Sequence, residues 1–182
     1  MIFNETTIGG SYLIDLDFKK DVRGFFARFF CHDQFLELGL NTSWVQFNNS
    51  LSLKAGTLRG PHIQTAPNEE AKLVKCVRGA VWDVIVDLRV GSKTFGQWYG
   101  SKLDSEKGTM MYIPNGVAHG VLSLEDNSEI IYMTSSKYAP DHEIPLLWND
   151  TEIGIKWPLK PTVMSDKERY GVSLKDIKLS PT

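Results

Sequence analysis

Cysteine is scarce in this sequence: Cys31 and Cys76 are the two in a chain of 182 residues, and neither belongs to a CxxC or CxxH spacing. That excludes a disulfide-stapled scaffold and a zinc ribbon. A basic excess is missing too. The formal charge is -2 at pH 7, so nothing provides the broad positive field that nucleic acid requires, and any anionic ligand must be gripped by a local group of cations. No apolar run approaches the ~20 residues of a membrane span. The opening stretch, MIFNETTIGGSYLIDLDF, has no basic head followed by an unbroken apolar core, which points away from a signal peptide and toward a cytoplasmic, soluble protein. GxSxG, P-loop, dinucleotide-binding, HExxH and kinase signatures are all lacking, and with them any support for a serine or cysteine nucleophile. There is no solenoid repeat, low-complexity tract or linker-like composition, so the reading is one domain over 1–182, with 171–182 as a polar surface tail.

What is present reads as β-structure. Apolar residues make up 42% of the chain, enough for a sizeable core. KLVKCV (72–77) and AVWDVIVDL (80–88) are Val-rich and separated by Arg78-Gly79, a pair that predicts a hairpin turn. In the second run Val81, Asp83, Ile85 and Asp87 share one face, and Ala80, Trp82, Val84, Val86 and Leu88 share the other. The two aspartates read as a solvated or locally bonded pair, or as the lining of a cavity. Further strands are expected at 44–53, 95–103, 109–113, 118–124 and 129–136, with turn residues between them. Many short strands at this spacing predict a sandwich or barrel. Two short helices are predicted, one at 33–38 with Asp33 as N-cap and Gly39 as stop, the other beginning at Ser165, where Ser165-Asp-Lys-Glu168 matches a capping box.

The residues that carry chemistry cluster beside these strands. His62 in RGPHIQ and His119 in Pro114-Asn-Gly-Val-Ala-His119 both flank glycine-bearing turns. Together they raise the question of a metal. The position two after His62 is Gln64 where a second histidine would be needed, and Glu69 and Glu70 read as solvated loop residues. Two imidazoles and an amide are a poor set for a transition metal, so no metal is expected. Arg23, Arg59 and Lys72 are candidate partners for a diphosphate, for which arginine supplies bidentate geometry. Gln46 and Asn48 alternate along a strand and so face one way, which suits a polar cavity better than a core. Tyr132, mid-strand in EIIYMT, is either a packed phenol or a proton donor facing the same space as His62.

In this order the residues resemble a known family. Arg23-Gly-Phe-Phe26, Gln46-x-Asn48-x-Ser50, Leu58-Arg59-Gly60-x-His62-x-Gln64, Lys72-Leu-Val, Asp83-Val-x-Val-Asp87-Leu-Arg89, Pro114-x-Gly-x-Ala-His119-Gly, Tyr132, Trp148-Asn-Asp150 and Ile153-Gly-Ile-x-Trp157-Pro are similar to the dTDP-4-dehydrorhamnose 3,5-epimerases over roughly residues 10 to 168. The resemblance implies a cupin-type β-jelly roll, a homodimer, no metal and no cofactor. It implies a nucleotide-diphosphate sugar as substrate, a 4-keto-6-deoxyhexose inverted at C3, C5 or both. By that resemblance His62 is the base, Tyr132 the acid on the opposite face, and Lys72 the partner of the enolate oxygen. Arg23 and Arg59 hold the diphosphate, while Phe26, Gln46, Asn48, Gln64 and His119 line the substrate site. The carboxylate that orients His62 is Glu168, where the family usually has Asp, or else Asp83, with Glu168 merely closing the capping box on Ser165. Pro61, Ile63, Val121 and Arg28 also depart from the family's usual residues, which leaves open a single-carbon epimerase, a ketoisomerase on another nucleotide sugar such as a CDP-linked one, or a non-catalytic sugar-nucleotide binder.

The chemistry of such a substrate agrees with these residue types. C3 and C5 both flank the C4 ketone, so the ketone is the electron sink for either proton. An imidazole suits the base role near neutral pH, and a cation at the developing oxyanion supplies the largest stabilising effect.

Overall fold

The computed structural model describes residues 1–179. Thirteen strands and two short helices follow the chain: β1 (Ile2–Glu5), β2 (Tyr12–Asp15), β3 (Lys19–Asp21), β4 (Gly24–Phe26), α1 (His32–Glu37), β5 (Gln46–Ser52), β6 (Leu58–Gln64), β7 (Lys72–Arg78), β8 (Ala80–Asp87), β9 (Trp98–Asp104), β10 (Met110–Ile113), β11 (Val117–Ser123), β12 (Ser128–Thr134), β13 (Glu143–Pro145) and α2 (Asp166–Arg169). Six strands form one antiparallel sheet in the order β1-β2-β10-β7-β12-β5, and five form a second in the order β13-β6-β11-β8-β9. The expected mainly-β jelly roll is what these two facing sheets build. β3 and β4 pair only with each other, as a separate hairpin.

Three apolar layers explain why β8 is buried on both faces. Val81 and Ile85 meet Val74, Met111 and Val121 between the sheets. Val84, Val86 and Leu88 turn outward and are covered by Leu146, Ile153, Trp157 and Leu174. The outer face of the six-stranded sheet packs on α1 through Phe35, Leu73 and Met110. Each layer removes apolar area from water at roughly 25 cal/mol per Å², which is what closes the sandwich.

Several expectations need correction. Arg78-Gly79 is not a hairpin turn: β7 pairs with β10 and β12, while β8 pairs with β9 and β11. Both edges of each strand are already taken, so the chain crosses from one sheet to the other at Gly79, where φ is 67° and an added Cβ would stand 2.8 Å from Ser128 Oγ. Helix α1 starts one residue early, with Cys31 at the N-cap position, and Asp33 sits in the first turn, where an acid complements the helix dipole. The tail from 171, read as a polar surface tail, is partly exposed over its described part and is anchored to the outer core. Val172 bridges Leu146, Leu174 N–H donates to Asp150 at 2.8 Å, and Leu174, Ile177 and Leu179 pack on the outer core, while residues 180–182 lie outside the described residues. Among the described residues no helix is long and apolar enough to cross a membrane.

Candidate active site

β6 answers why an arginine and a histidine stand three residues apart in RGPH. On a regular strand, positions 59 and 62 would point to opposite faces. Here Gly60 has a φ of 80°, Pro61 offers no N–H, and the pairing with β11 slips between His119 and Val121. The resulting bulge turns both Arg59 and His62 into the space between the sheets.

That space is a cavity of about 430 Å³. One wall comes from the six-stranded sheet: Gln46 and Asn48 on β5, Lys72 on β7 and Tyr132 on β12. The facing wall carries His62 and Gln64 on β6 and Glu143 on β13. A smaller hollow of about 110 Å³ shares His62, Lys72 and Tyr132 with it and adds Arg59 and His119. Alternation holds on β5: Gln46, Asn48 and Ser50 turn inward, while Phe47 and Leu51 are exposed.

His62 lies between two carboxylates. Its Nδ1 is 3.2 Å from Glu143 Oε1, and its Nε2 is 3.2 Å from Glu168 Oε1, off the line of a hydrogen bond. Glu168 is itself fixed by Gly60 N–H at 3.1 Å, by Ser165 N–H at 2.9 Å and by the Ser165 hydroxyl. The capping box and the histidine contact are therefore made by the same carboxylate. Burial would raise the Glu168 carboxyl, but the His62 ring, Ser165 and the Gly60 N–H outweigh it and hold it at about 2. Asp83 does not reach His62. It is fully buried on the interior face of β8 and takes His119 Nε2 at 2.8 Å. Asp87 on the same face is also buried, in a local set with Arg89, Ser92 and Thr94, so neither aspartate is solvated.

Other candidates are placed as follows. Lys72 Nζ is 3.0 Å from Glu70 Oε1 inside the cavity, so Glu70 is not the solvated loop residue expected of it. The Tyr132 phenol is pushed up by burial and by the anionic Glu70, with Arg59 opposing. Gln64 lines the cavity, but its amide is spent on the chain itself: Nε2 donates to Asn68 O and Lys137 O, and Oε1 accepts from Ala139 N–H. Gln46 Oε1 likewise accepts Tyr138 N–H at 2.6 Å. These two amides thus hold the 137–139 turn that carries Tyr138. Arg23 and Phe26 are not brought to the cavity. They lie exposed on the β3–β4 hairpin, with Arg23 paired to Asp21 at 2.6 Å.

Sequence reasoning missed Glu143 and Tyr138. Glu143 accepts from the Tyr138 hydroxyl at 2.7 Å and from Lys167 Nζ at 2.6 Å. Burial works against its ionisation, yet Lys167, Tyr138 and His62 together hold its carboxyl below the usual range. A three-residue strand has too few positions to show an alternating pattern, so nothing local marks it. Among the described residues no group of three or more His, Cys, Asp or Glu side chains is arranged to hold a metal ion.

An imidazole on one sheet faces a phenol on the other, with an ammonium beside the phenol and a guanidinium at the edge. On a jelly roll such a set can take a proton from a carbon on one side and return one on the other, and the chain is of the isomerase class, a carbohydrate epimerase. The family model described as dTDP-4-dehydrorhamnose 3,5-epimerase matches residues 5–176, and the chain belongs to that family. It is 39% identical over 181 residues to the dTDP-4-dehydrorhamnose 3,5-epimerase of Sinorhizobium fredii, covering 99% of this chain and 93% of that one. Its fold is similar to that of the RmlC epimerase of Legionella pneumophila, solved with dTDP-4-keto-L-rhamnose (TM-score 0.91, 36% identity, 97% of this chain and 94% of the other). It is also similar to ChmJ of Streptomyces bikiniensis, a 3'-monoepimerase solved with dTDP-quinovose (TM-score 0.88, 34% identity, 94% and 87% covered).

Proposed function

We propose that the cavity binds a dTDP-linked 4-keto-6-deoxyhexose and inverts it at C3 and C5. The observation that carries this is the placement of His62 and Tyr132 on opposing sheets around one cavity. His62 takes the proton from the carbon beside the ketone. The electron pair moves onto the C4 oxygen, where the Lys72 ammonium meets it. Tyr132 then delivers a proton to the other face of the same carbon, and the configuration inverts. Glu168, pinned by three protein donors, keeps the imidazole oriented and balances the charge it gains. Arg59 receives the diphosphate end, and His119, held by Asp83, closes the inner side of the site.

Arg23 and Phe26 fit this reading in a homodimer. They are exposed on a hairpin that pairs with no other strand, an arm that a second copy could receive at its cavity. The two unpaired thiols, Cys31 and Cys76, support a cytoplasmic setting.

The test is proton NMR of the chain with dTDP-linked 4-keto-6-deoxyhexoses, dTDP-4-keto-L-rhamnose among them, in deuterated buffer. Exchange at both C3 and C5 with interconversion of epimers is the expected result. Exchange at C3 alone would place the chain with the single-carbon enzymes such as ChmJ, to which it is similar. No exchange with any such sugar would overturn the proposal.

A further inference from the structure

Glu70 is the charge that strand geometry, not loop chemistry, puts in the cavity. Its side chain is 11% exposed and contacts a Lys72 side chain that is 14% exposed. The intervening Ala71 is pinned on both sides: its N–H donates to Ser135 Oγ at 2.8 Å, and its C=O accepts from Ser135 N–H at 3.0 Å. Ala71 packs into the outer core, so Glu70 and Lys72, two apart on extended backbone, both turn inward. A lysine ammonium is a point charge on a flexible four-carbon stem, and stabilising an oxyanion requires that it be held in place beforehand. The ion pair with Glu70 holds the ammonium charge in the cavity, where its N–H donors can still meet a substrate oxygen.

We propose that Glu70 is a positioning residue of the epimerisation, which aims the Lys72 ammonium at the ketone oxygen and places a negative charge beside the Tyr132 phenol. The inference rests on the roles given above to Lys72 and Tyr132. The charged and titratable groups around that phenol are Glu70 and Lys72, Arg59 and His62 from β6, His119 from β11, Tyr138, and Glu143 from β13. Burial raises the phenol, Glu70 and Glu143 raise it further, and Arg59 opposes them. The phenol therefore stays protonated, and able to donate, to a higher pH with Glu70 charged than without it. Removing that charge moves the loss of the donor to lower pH.

Glu70→Gln and Glu70→Asp test this through rates of deuterium wash-in and of net inversion, followed from about pH 6 to about pH 10, across the imidazole and phenol ranges. For Glu70→Gln we expect kcat for inversion to fall about tenfold with KM within about twofold, as for an interaction made in the transition state. The alkaline limb moves to lower pH. Glu70→Asp keeps the wild-type limb and recovers part of kcat. An unshifted limb in Glu70→Gln, whether with unchanged kcat or with a general loss matched by a lower melting temperature, overturns the inference. Wild-type protein that exchanges no hydrogen would instead overturn the epimerase reading itself.

Discussion

His62 and Tyr132 make opposite predictions at the level of single side chains. With the base removed, His62→Ala should lose about 10²–10⁴-fold in exchange rate while nucleotide-sugar binding persists; exchange at the wild-type rate would remove His62 from the mechanism. With the acid removed, Tyr132→Phe should keep wash-in at the abstracted position better than it keeps net inversion, and equal loss of both would argue against a separate donor. Glu168 adds a pH signature. Its carboxyl is held at about 2 in the folded protein against about 4.3 in an unfolded chain. A depressed carboxyl stabilises the fold above its unfolded value, and that contribution disappears as pH falls from about 4 toward 2. Denaturant titrations should therefore show a wild-type loss over this window that is smaller in Glu168→Gln. An identical loss in both would mean that the carboxylate is not held as the geometry implies.

At the scale of elements, the sequence disclosed most where patterns were long. The Val-rich runs of β7 and β8 and the alternating Gln46, Asn48 and Ser50 of β5 are visible in the chain because the period of a strand depends only on neighbours. Gly79 shows the limit. A turn residue announces a reversal, but which sheet the next strand joins depends on pairings with β11 and β12, far along the chain. β6 was hard to read as a strand for the reason that makes it useful: Gly60 and Pro61 break the ladder. The same break gives a prediction. A methyl at Gly60 would stand 2.5 Å from His119 O on a backbone with φ of 80°. Gly60→Ala should cost more than about 2 kcal/mol in thermal or denaturant unfolding and lower kcat by moving Arg59 and His62 together; a neutral effect would show that the bulge is not needed. Of the site, His62, Lys72, Tyr132 and His119 were legible from residue type and context. Glu70 was readable only by extending the β7 pattern back two positions, and Glu143 reaches His62 by a tertiary contact that no local pattern encodes.

Taken as a whole molecule, the apolar side chains that the chain exposes include two neighbouring groups: Phe47, Leu51 and Leu53 along the edge strand β5 and its end, and Val22, Phe25 and Phe26 on the hairpin. The homodimer proposed above would cover such surfaces, and sedimentation should then give twice the 20.5 kDa monomer mass. Arg23→Ala should raise KM for the nucleotide sugar with less effect on kcat, since a diphosphate contact acts in ground and transition states alike; an unchanged KM would leave the arm without a role in binding. The order of the chain has its own consequence. Every strand of both sheets is complete by Pro145, whereas Glu168 arrives on the segment that Asp150 and Leu146 then clamp across the outer face. During synthesis the barrel can thus close around an imidazole that has Glu143 beside it but not yet Glu168, and competence comes last, when the final helix docks like a key turned in a finished lock.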